Sequence, residues 1–308
     1  TFTQDSGLSL SLKNFIGYYH LDPRSIYGKF SFSRLCADAG VLDDFIEPAE
    51  SILTKAFSKL VAVDSRRWIK FLTDILPRFS CELAASLSDF EKRMLQMFYI
   101  TVFQEAADWR SHTTQANMQL LADSPIMMHE LNELLSFNLE RIDFIDQPVP
   151  LGFDCPLDLH CTYTRDQILI AMDYMTPKNV REGVKWLPDK QVDVFFITLN
   201  KADKDYSPTT MYNDYSINES LFHWQSQSTT SDTASTGQRY INHRQRGSKV
   251  VLFVREFKQD SIGAAPYTCL GTAAYVKHTG SKPMNITWHL DQPIPAKYLR
   301  KTNKLVVG

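Results

Sequence analysis

A proline-rich stretch divides the chain and limits the folds open to it. Pro148, Pro150 and Pro156 fall within residues 147–156, and proline lacks the backbone donor that helices and sheets use. Before this stretch apolar residues recur at helical spacing, whereas after about residue 180 they form short β-branched or aromatic runs. The pattern predicts a helical domain over residues 1–150 and a β-rich domain over residues 151–308.

The N-terminal part carries recognisable helix start and stop signals. Ser88-Asp-Phe-Glu91 is a capping box that precedes apolar residues at helical spacing. Ser65, or Asp64 before it, is suited to start another helix, and Pro125 is typical of a first helical turn. Gly40 follows an apolar stretch, as a C-terminal stop does. These signals predict an all-α domain.

The C-terminal part is predicted to be mainly strands, with one or two helices. Thr164-Arg-Asp-Gln167 is a second capping box. The segments that read as strands are Val192–Leu199, Ser220–Gln225, Lys249–Phe257, Tyr267–Val276 and Met284–Leu290. The predicted class is therefore α+β, with a mainly antiparallel sheet. Because the strands are few and a helix precedes them, a barrel-like arrangement is favoured over a sandwich.

Length and cysteine usage place the chain among cytoplasmic proteins. It has 308 residues, no apolar run of 18 residues and no signal peptide, which predicts no membrane association. Its five cysteines are odd in number and scattered, which favours free thiols in a reducing compartment. The chain begins with Thr1 rather than methionine, so we expect a piece of a longer protein.

Charge is distributed unevenly between the two parts. Residues 1–159 hold 14 Lys and Arg against 22 Asp and Glu, a net charge of −8. Residues 160–308 hold 19 against 13, a net charge of +6. This asymmetry favours a C-terminal part that faces a polyanion. An acidic helical half is also typical of a solvated surface.

Several catalytic signatures are absent from the sequence. It contains no Gly-x-x-x-x-Gly-Lys-Ser/Thr loop, no Gly-x-Gly-x-x-Gly after a strand, no Gly-x-Ser-x-Gly and no His-Glu-x-x-His. The chain alone is therefore not expected to hydrolyse nucleotides, and no cofactor is predicted.

Residues 206–249 combine aromatic rings, side-chain amides and basic groups. Rings stack on bases, amides donate to and accept from base edges, and Arg and Lys contact phosphates. The candidate stacking residues are Tyr206, Tyr212, Trp224 and Tyr240. The candidate base-reading residues are His223, Gln225 and Gln227, and the candidate phosphate contacts are Arg239, His243, Arg244, Arg246 and Lys249.

Each of these assignments has a structural alternative. Period-two geometry places Phe222 and Trp224 on one face of a strand and His223 and Gln225 on the other, which is also what an aromatic core backed by a polar surface would give. This geometry favours a core position for Trp224. The basic residues around Gly247 also fit a solvated hairpin.

Two further patterns point to metal chemistry. Glu256 and Lys258 end an apolar strand, as in the second half of a magnesium-dependent nuclease signature. The first half would need Asp214 or Asp232, and neither has the usual Pro-Asp context. Cys155, His160 and Cys161 offer zinc ligands, but the usual second pair is absent and a buried turn is the alternative.

Seven sequence blocks in the C-terminal part resemble one family. They are Asp205-Tyr-Ser-Pro-Thr-Thr-Met-Tyr, Leu221-Phe-His-Trp-Gln-Ser-Gln, Thr236-Gly-Gln-Arg-Tyr-Ile-Asn-His, Leu252-Phe-Val-Arg-Glu, Pro266-Tyr-Thr-Cys-Leu-Gly, Gly280-Ser-Lys-Pro-Met and Pro295-Ala-Lys-Tyr-Leu. The family is the domain of unknown function at the C-terminus of large bacterial superfamily II DEAD/DEAH helicases, which often carry a phospholipase-D-like nuclease domain and resemble restriction or phage-defence enzymes. The resemblance spans residues 155–308, and residues 10–150 are more loosely similar to the segment that precedes this domain.

The resemblance implies that ATPase and nuclease activities lie in other parts of a larger protein, with DNA and those helicase and nuclease domains as partners. It supplies no established catalytic residues. By analogy, a small β-rich domain beside a helicase and a nuclease suggests the PUA-like readers, including SRA and EVE domains, which hold a flipped and often modified base.

Three hypotheses follow. The first is a non-catalytic DNA-recognition module, the second a magnesium-dependent nuclease built on Glu256 and Lys258, and the third a module that docks a helicase partner through its helical half.

Overall fold

The chain forms two compact units in a computed structural model that describes residues 2–200 and 214–302. The helical unit gathers residues 2–146, 162–177 and 261–263. The sheet unit gathers residues 147–161, 178–200, 214–260 and 264–302. The division is not one cut in the proline-rich stretch, because residues 162–177 group with the helical unit.

Ten α-helices lie in the described part of the helical unit. They are α1 Phe2–Ser6, α2 Leu12–Tyr19, α3 Phe32–Asp38, α4 Glu50–Leu60, α5 Arg66–Ile75, α6 Cys81–Ser86, α7 Asp89–Phe103, α8 His112–Ala122, α9 Pro125–Glu140 and α10 Arg165–Ala171. No helix among the described residues is long and apolar enough to cross a membrane. The predicted helical N-terminal region is confirmed.

The predicted helix boundaries have the expected chemistry. Ser88 and Glu91 form a reciprocal capping box at the start of α7, and Ser65 caps α5. Thr164 and Gln167 form the second box, at the start of α10. Pro125 occupies the first turn of α9. Local sequence therefore sets these ends, because each cap satisfies backbone donors that the helix leaves open.

Two buried or half-buried glutamates tie the helices together. Glu47 accepts hydrogen bonds from the backbone N–H groups of Ile126 and Met127 at 2.8 and 2.9 Å, at the start of α9. Glu130, on α9, accepts from Phe32 and Ser33 at 2.6 and 2.8 Å, at the start of α3. Both carboxylates lie at the positive ends of helix dipoles, which favours negative charge there.

The sheet unit is organised around one mixed sheet. Its strands are β2 Val184–Leu187, β3 Val192–Thr198, β4 Tyr215–Ser216, β5 Leu221–Gln225, β6 Lys249–Arg255, β9 Tyr267–Thr279 and β10 Asn285–Leu290. The described residues form three further short strands: β1 Thr162–Tyr163, which falls within the helical unit, β7 Gln259–Asp260, and β8 Gly263–Ala264, which begins at the last residue of the helical unit. The strand order is β2-β3-β6-β9-β10-β5-β4. Only β3 and β6 run parallel along this path, so the described sheet is mainly antiparallel.

The predicted mainly antiparallel C-terminal region is confirmed, with one difference. Among the described residues the sheet is open, with β2 and β4 at its two edges, and does not close into a barrel. Helix α11 Ser235–Ile241 precedes the turn around Gly247 where the sequence suggested a basic hairpin, and α12 Ala296–Thr302 follows the sheet. The parallel β3–β6 pair needs a crossover, and β4, β5 and α11 lie within it.

One face of the sheet packs into an aromatic core. The ring of Phe195 lies 4.3 Å from that of Trp224 and 5.6 Å from that of Trp288. Tyr240, on α11, meets Trp224 edge-on at 5.6 Å. Helix α11 therefore covers the core face of the sheet, and we call that side the core face below.

Candidate nucleic-acid interface

Strand β5 presents polar side chains on one face and aromatic side chains on the other. Phe222 and Trp224 are buried, whereas His223 and Gln225 are half-buried. Phe222 and Trp224 belong to the aromatic core. The predicted alternation is therefore present, and it directs His223 and Gln225 to the face opposite the core.

Neighbouring strands extend this polar face in register. His223 pairs with Tyr215 on β4 and with Thr287 on β10, and Thr287 pairs with Lys277 on β9. Gln225 pairs with Asn285, which pairs with Thr279. Residues paired across antiparallel strands share a face. The polar sheet face is defined by Tyr215, His223, Gln225, Lys277, Thr279, Asn285 and Thr287.

The polar sheet face carries side chains of the kinds that contact bases in nucleic-acid-binding proteins. The rings of Tyr215 and His223 stack with centroids 4.8 Å apart and planes at 15°. Two side-chain amides, Gln225 and Asn285, lie on adjacent strands, and Lys277 is exposed. Flat rings, amides and a cation in one surface suit stacking, edge recognition and phosphate contact respectively.

The structure separates two of the candidate stacking residues from this face. Trp224 and Tyr240 keep only 5% and 3% of their surface exposed, and both lie in the core. Neither ring has a face open to a base. Tyr206 and Tyr212 lie outside the described residues. Gln227 is half-buried beyond the end of β5.

Arg239 makes an ion pair within the sheet unit. Its Nε and Nη2 atoms lie 2.7 and 2.9 Å from the carboxylate oxygens of Asp193, which is fully buried on β3. Its guanidinium also lies 4.4 Å from the centre of the Trp186 ring. Burial raises the pKa of the Asp193 carboxyl, and the Arg239 cation acts in the opposite sense. Arg239 therefore makes an ion pair within the protein, whereas the sequence suggested that it contacts phosphate.

The remaining basic candidates follow α11. We call residues 242–248 the basic turn. Arg244 is 65% exposed and contacts Asp291 at 2.8 Å, and Arg246 is exposed. Lys249, at the start of β6, donates to the backbone oxygen of Pro150 at 2.7 Å. Arg244 and Arg246 are thus the candidates that the structure leaves at the surface.

His243 is buried within the basic turn. Its Nε2 atom accepts the backbone N–H of Tyr275 at 3.1 Å, and Nδ1 lies 3.3 Å from the carbonyl oxygen of Ser248. The ring is therefore neutral, with Nδ1 as the donor. Burial is the main cause that lowers the His243 pKa. A phosphate contact by this ring is not compatible with its burial.

We expect His243 to make stability depend on pH. Its folded pKa lies below the unfolded value of about 6.5, so the unfolded state binds more protons below that pH and the free energy of unfolding falls as pH decreases. His243→Gln should reduce this dependence. It should also lower stability at pH 8 by about 1–3 kcal/mol, because buried groups lose partners. Urea unfolding between pH 5 and 8 measures both effects.

The exposed residue His289 provides the matched control for this experiment. The free energy of unfolding of His289→Gln should vary with pH as it does in the wild type. Parallel stability curves for the wild type and His243→Gln would contradict the assignment. His160 also has a pKa lowered by burial, so some dependence should persist in His243→Gln.

Among the residues that the structure describes, the nuclease and zinc alternatives have no cluster of metal ligands. Asp214 accepts the backbone N–H of Gln225 at 2.9 Å, and Asp232 bonds to Ser281 at 2.9 Å. Across residues 2–200 and 214–302, no three His, Cys, Asp or Glu side chains are grouped to hold a metal. Cys155 and Cys161 are buried, and the backbone of Cys161 pairs with that of Cys269.

Sequence reasoning missed five of the seven residues of the polar sheet face. Tyr215 lies in a two-residue strand with no periodic signal. Asn285 and Thr287 alternate with buried Ile286 and Trp288, so the period-two pattern of β10 could have revealed them. Asn285 and Thr287 lie near His223 because β10 and β5 are neighbours in the sheet. Strand order cannot be predicted from a local sequence pattern.

Residues 157–301 match the family model of a domain of unknown function (DUF3427). This range includes strands β2 to β10 and helix α11 of the structure. No curated protein matches the chain.

Proposed function

We propose that this chain is the DNA-recognition part of a larger helicase–nuclease protein of restriction or phage defence. The DUF3427 match at residues 157–301 supports the relationship to a domain of unknown function. The sequence resemblance supplies the C-terminal position of that domain in a helicase, and the helicase and nuclease partners. The observation that carries the recognition role is the polar sheet face, where amides and a stacked Tyr215–His223 pair lie in register.

The proposed roles are divided between two surfaces. Gln225 and Asn285 read base edges, while Tyr215 and His223 provide a flat platform for a base, including a flipped or modified one. Arg244 and Arg246 of the basic turn contact phosphate. Because α11 covers the core face and the polar sheet face lies opposite, we assign the two surfaces to separate parts of the nucleic acid.

We expect Gln225→Ala and Asn285→Ala to reduce discrimination between preferred and non-preferred DNA by about 1–3 kcal/mol each. Non-specific affinity should change little, because phosphate contacts supply most of it. Fluorescence anisotropy with single-stranded, duplex and base-modified oligonucleotides measures the affinities. Gln259→Ala, an exposed amide on β7, is the matched control. Full discrimination in both interface variants would remove the polar sheet face from the proposal.

The basic turn should act differently in the same assay. Replacing Arg244 and Arg246 with alanine should weaken binding to all sequences alike. It should also reduce the slope of log affinity against log salt by about 1–2, since each phosphate contact contributes roughly 0.9. An unchanged slope would make these residues part of a solvated surface.

A second role, for the helical unit, is to dock a helicase domain. The rings of Tyr18 and Tyr19 are 41% and 44% exposed and contact each other and Phe2. Exposed clustered aromatics are typical of protein interfaces. Tyr18→Ser with Tyr19→Ser should release a bound helicase domain in a pull-down assay while DNA affinity stays unchanged.

A further inference from the structure

A β-bulge brings two polar side chains of β9 to the same face. Tyr275 pairs with Trp288 and Lys277 with Thr287, so Val276 is the extra residue. His278 pairs with Ile286. Because Trp288 and Ile286 both belong to the core, Tyr275 and His278 lie on the core face although they are three positions apart. In a regular strand this spacing would place them on opposite faces, and bulges often redirect side chains in this way at active sites.

Two other segments come together beside these two residues. The Tyr275 hydroxyl lies 2.6 Å from His278 Nδ1. His278 Nε2 lies 3.7 Å from a carboxylate oxygen of Asp232, in the loop before α11. The other oxygen of Asp232 accepts a hydrogen bond from Ser281 at 2.9 Å, in the turn between β9 and β10. The imidazole of His278 thus lies between the hydroxyl of Tyr275 and the carboxylate of Asp232.

This order is the signature of an activated nucleophile. A nucleophile within hydrogen-bond reach of a base, with the base oriented by a third group, recurs in unrelated enzymes. The carboxylate beside Nε2 favours a proton on that nitrogen, which leaves Nδ1 to accept the phenol proton. The Ser281 hydrogen bond holds the pKa of Asp232 below its usual range, so its carboxylate stays charged. Burial raises the pKa of Tyr275, so the phenol depends on a base for its activation.

The backbone around Tyr275 is also fixed. Its N–H bonds to buried His243, and its ring meets Trp288 edge-on at 6.3 Å. Exposed Arg244 and Arg246 follow His243 in the basic turn. The backbone of Tyr275 is therefore held next to the segment that we assign to phosphate contact.

We propose that Tyr275 is a nucleophile toward phosphodiesters, with His278 as its general base and Asp232 as a positioning residue. The phosphodiester substrate class rests on the proposed DNA-recognition role, whereas the nucleophile and base rest on the geometry alone.

The reaction balances with water as the second substrate. Tyr275 Oη forms a bond to phosphorus as the bond from phosphorus to the leaving oxygen breaks, and the phenol proton moves to His278 Nδ1. His278 then gives that proton to the leaving oxygen. Water attacks the phosphotyrosine in the second step and loses a proton to His278. The bond from phosphorus to Tyr275 Oη breaks, and the phenol regains the proton from His278.

The first experiment uses bis(4-nitrophenyl) phosphate, which tests the chemistry without DNA recognition. The full chain should release 4-nitrophenolate, and Tyr275→Phe should slow release by at least about 100-fold, the lower range for loss of an assisted nucleophile. Tyr298→Phe, which alters a half-buried phenol bonded to the backbone of His160, is the matched control and should keep the wild-type rate. Equal rates in the wild type and Tyr275→Phe would overturn the proposal.

The second experiment separates catalysis from folding and from DNA recognition. A fluorescent single-stranded oligonucleotide should form a covalent adduct with the full chain, resolved on a denaturing gel and located at Tyr275 by mass spectrometry. Asp232→Asn should lower kcat for bis(4-nitrophenyl) phosphate without changing KM, because His278 loses the carboxylate that orients its ring. Asp232→Glu should restore much of the lost rate, since it returns a carboxylate to this position. Equal losses of kcat in Asp232→Asn and Asp232→Glu would make Asp232 purely structural and overturn its role.

The two proposals can fail independently. Hydrolysis without DNA binding would overturn the recognition role alone, and DNA binding without Tyr275-dependent hydrolysis or adduct would overturn the nucleophile alone.

Discussion

Trp224→Ala should lower the free energy of unfolding by about 3–5 kcal/mol, the range for removing a large buried aromatic side chain. The Trp224 ring packs 4.3 Å from Phe195 and edge-on against Tyr240. Truncation would leave a cavity that these rigid neighbours fill only in part. Urea unfolding followed by circular dichroism measures the loss.

Tyr215→Ala provides the surface comparison for this prediction. Tyr215 is half-buried on the polar sheet face, so its loss should cost less than about 1.5 kcal/mol while it weakens base stacking by about 1–3 kcal/mol. A Trp224→Ala protein with wild-type stability and weakened DNA binding would show that Trp224 forms part of a binding pocket instead.

Arg239→Ala should cost about 3–5 kcal/mol of stability, because it leaves the carboxylate of Asp193 buried without its charged partner. Asp193 is fully buried, and the Arg239 side chain is 18% exposed. The salt dependence of DNA binding should stay unchanged at temperatures where the variant is folded. Thermal melts and binding curves on the same preparation measure the two quantities.

A double variant distinguishes loss of the pair from loss of packing. Asp193→Leu with Arg239→Met replaces both charges with apolar groups of similar size, and should be more stable than Arg239→Ala. Arg246→Ala, at an exposed position in the basic turn, should leave stability near that of the wild type. A reduced salt slope in folded Arg239→Ala would restore Arg239 as a phosphate contact.

Local signals in the sequence predicted helix ends and strand positions well. The capping boxes at Ser88 and Thr164 start α7 and α10. The strand predicted at Val192–Leu199 is β3, Val192–Thr198. Such features depend on neighbouring residues only, because a cap satisfies its own helix and alternation follows from the pleat.

Helix α11 was missed because its sequence resembles a turn. It begins in a Ser- and Thr-rich stretch and contains Gly237, which lowers helix propensity. The structure explains this glycine: a Cβ there would lie 2.0 Å from the backbone oxygen of Ser231. Close packing, rather than local preference, therefore selects the residue.

The candidate site was predicted in part for a related reason. Alternation correctly placed His223 and Gln225 away from the core. The partners of Arg239 and His243 are distant in sequence, with Asp193 on β3 and Tyr275 on β9. Composition alone could not distinguish these buried structural roles from phosphate contacts, because a basic side chain has the same chemistry in either setting.

The discontinuous helical unit has a consequence for synthesis on the ribosome. Helix α10 packs against α7, and Gln167 donates to buried Thr101 at 2.9 Å. Residues 2–146 therefore leave the ribosome before the residues that complete their own packing. Because the ribosome adds about 5–20 residues per second, several seconds pass between the synthesis of Thr101 and that of Gln167. During this time the side-chain oxygen of Thr101 lacks the hydrogen bond from Gln167. We expect nascent chains that end before residue 162 to remain protease-sensitive, and those that expose α10 to become resistant.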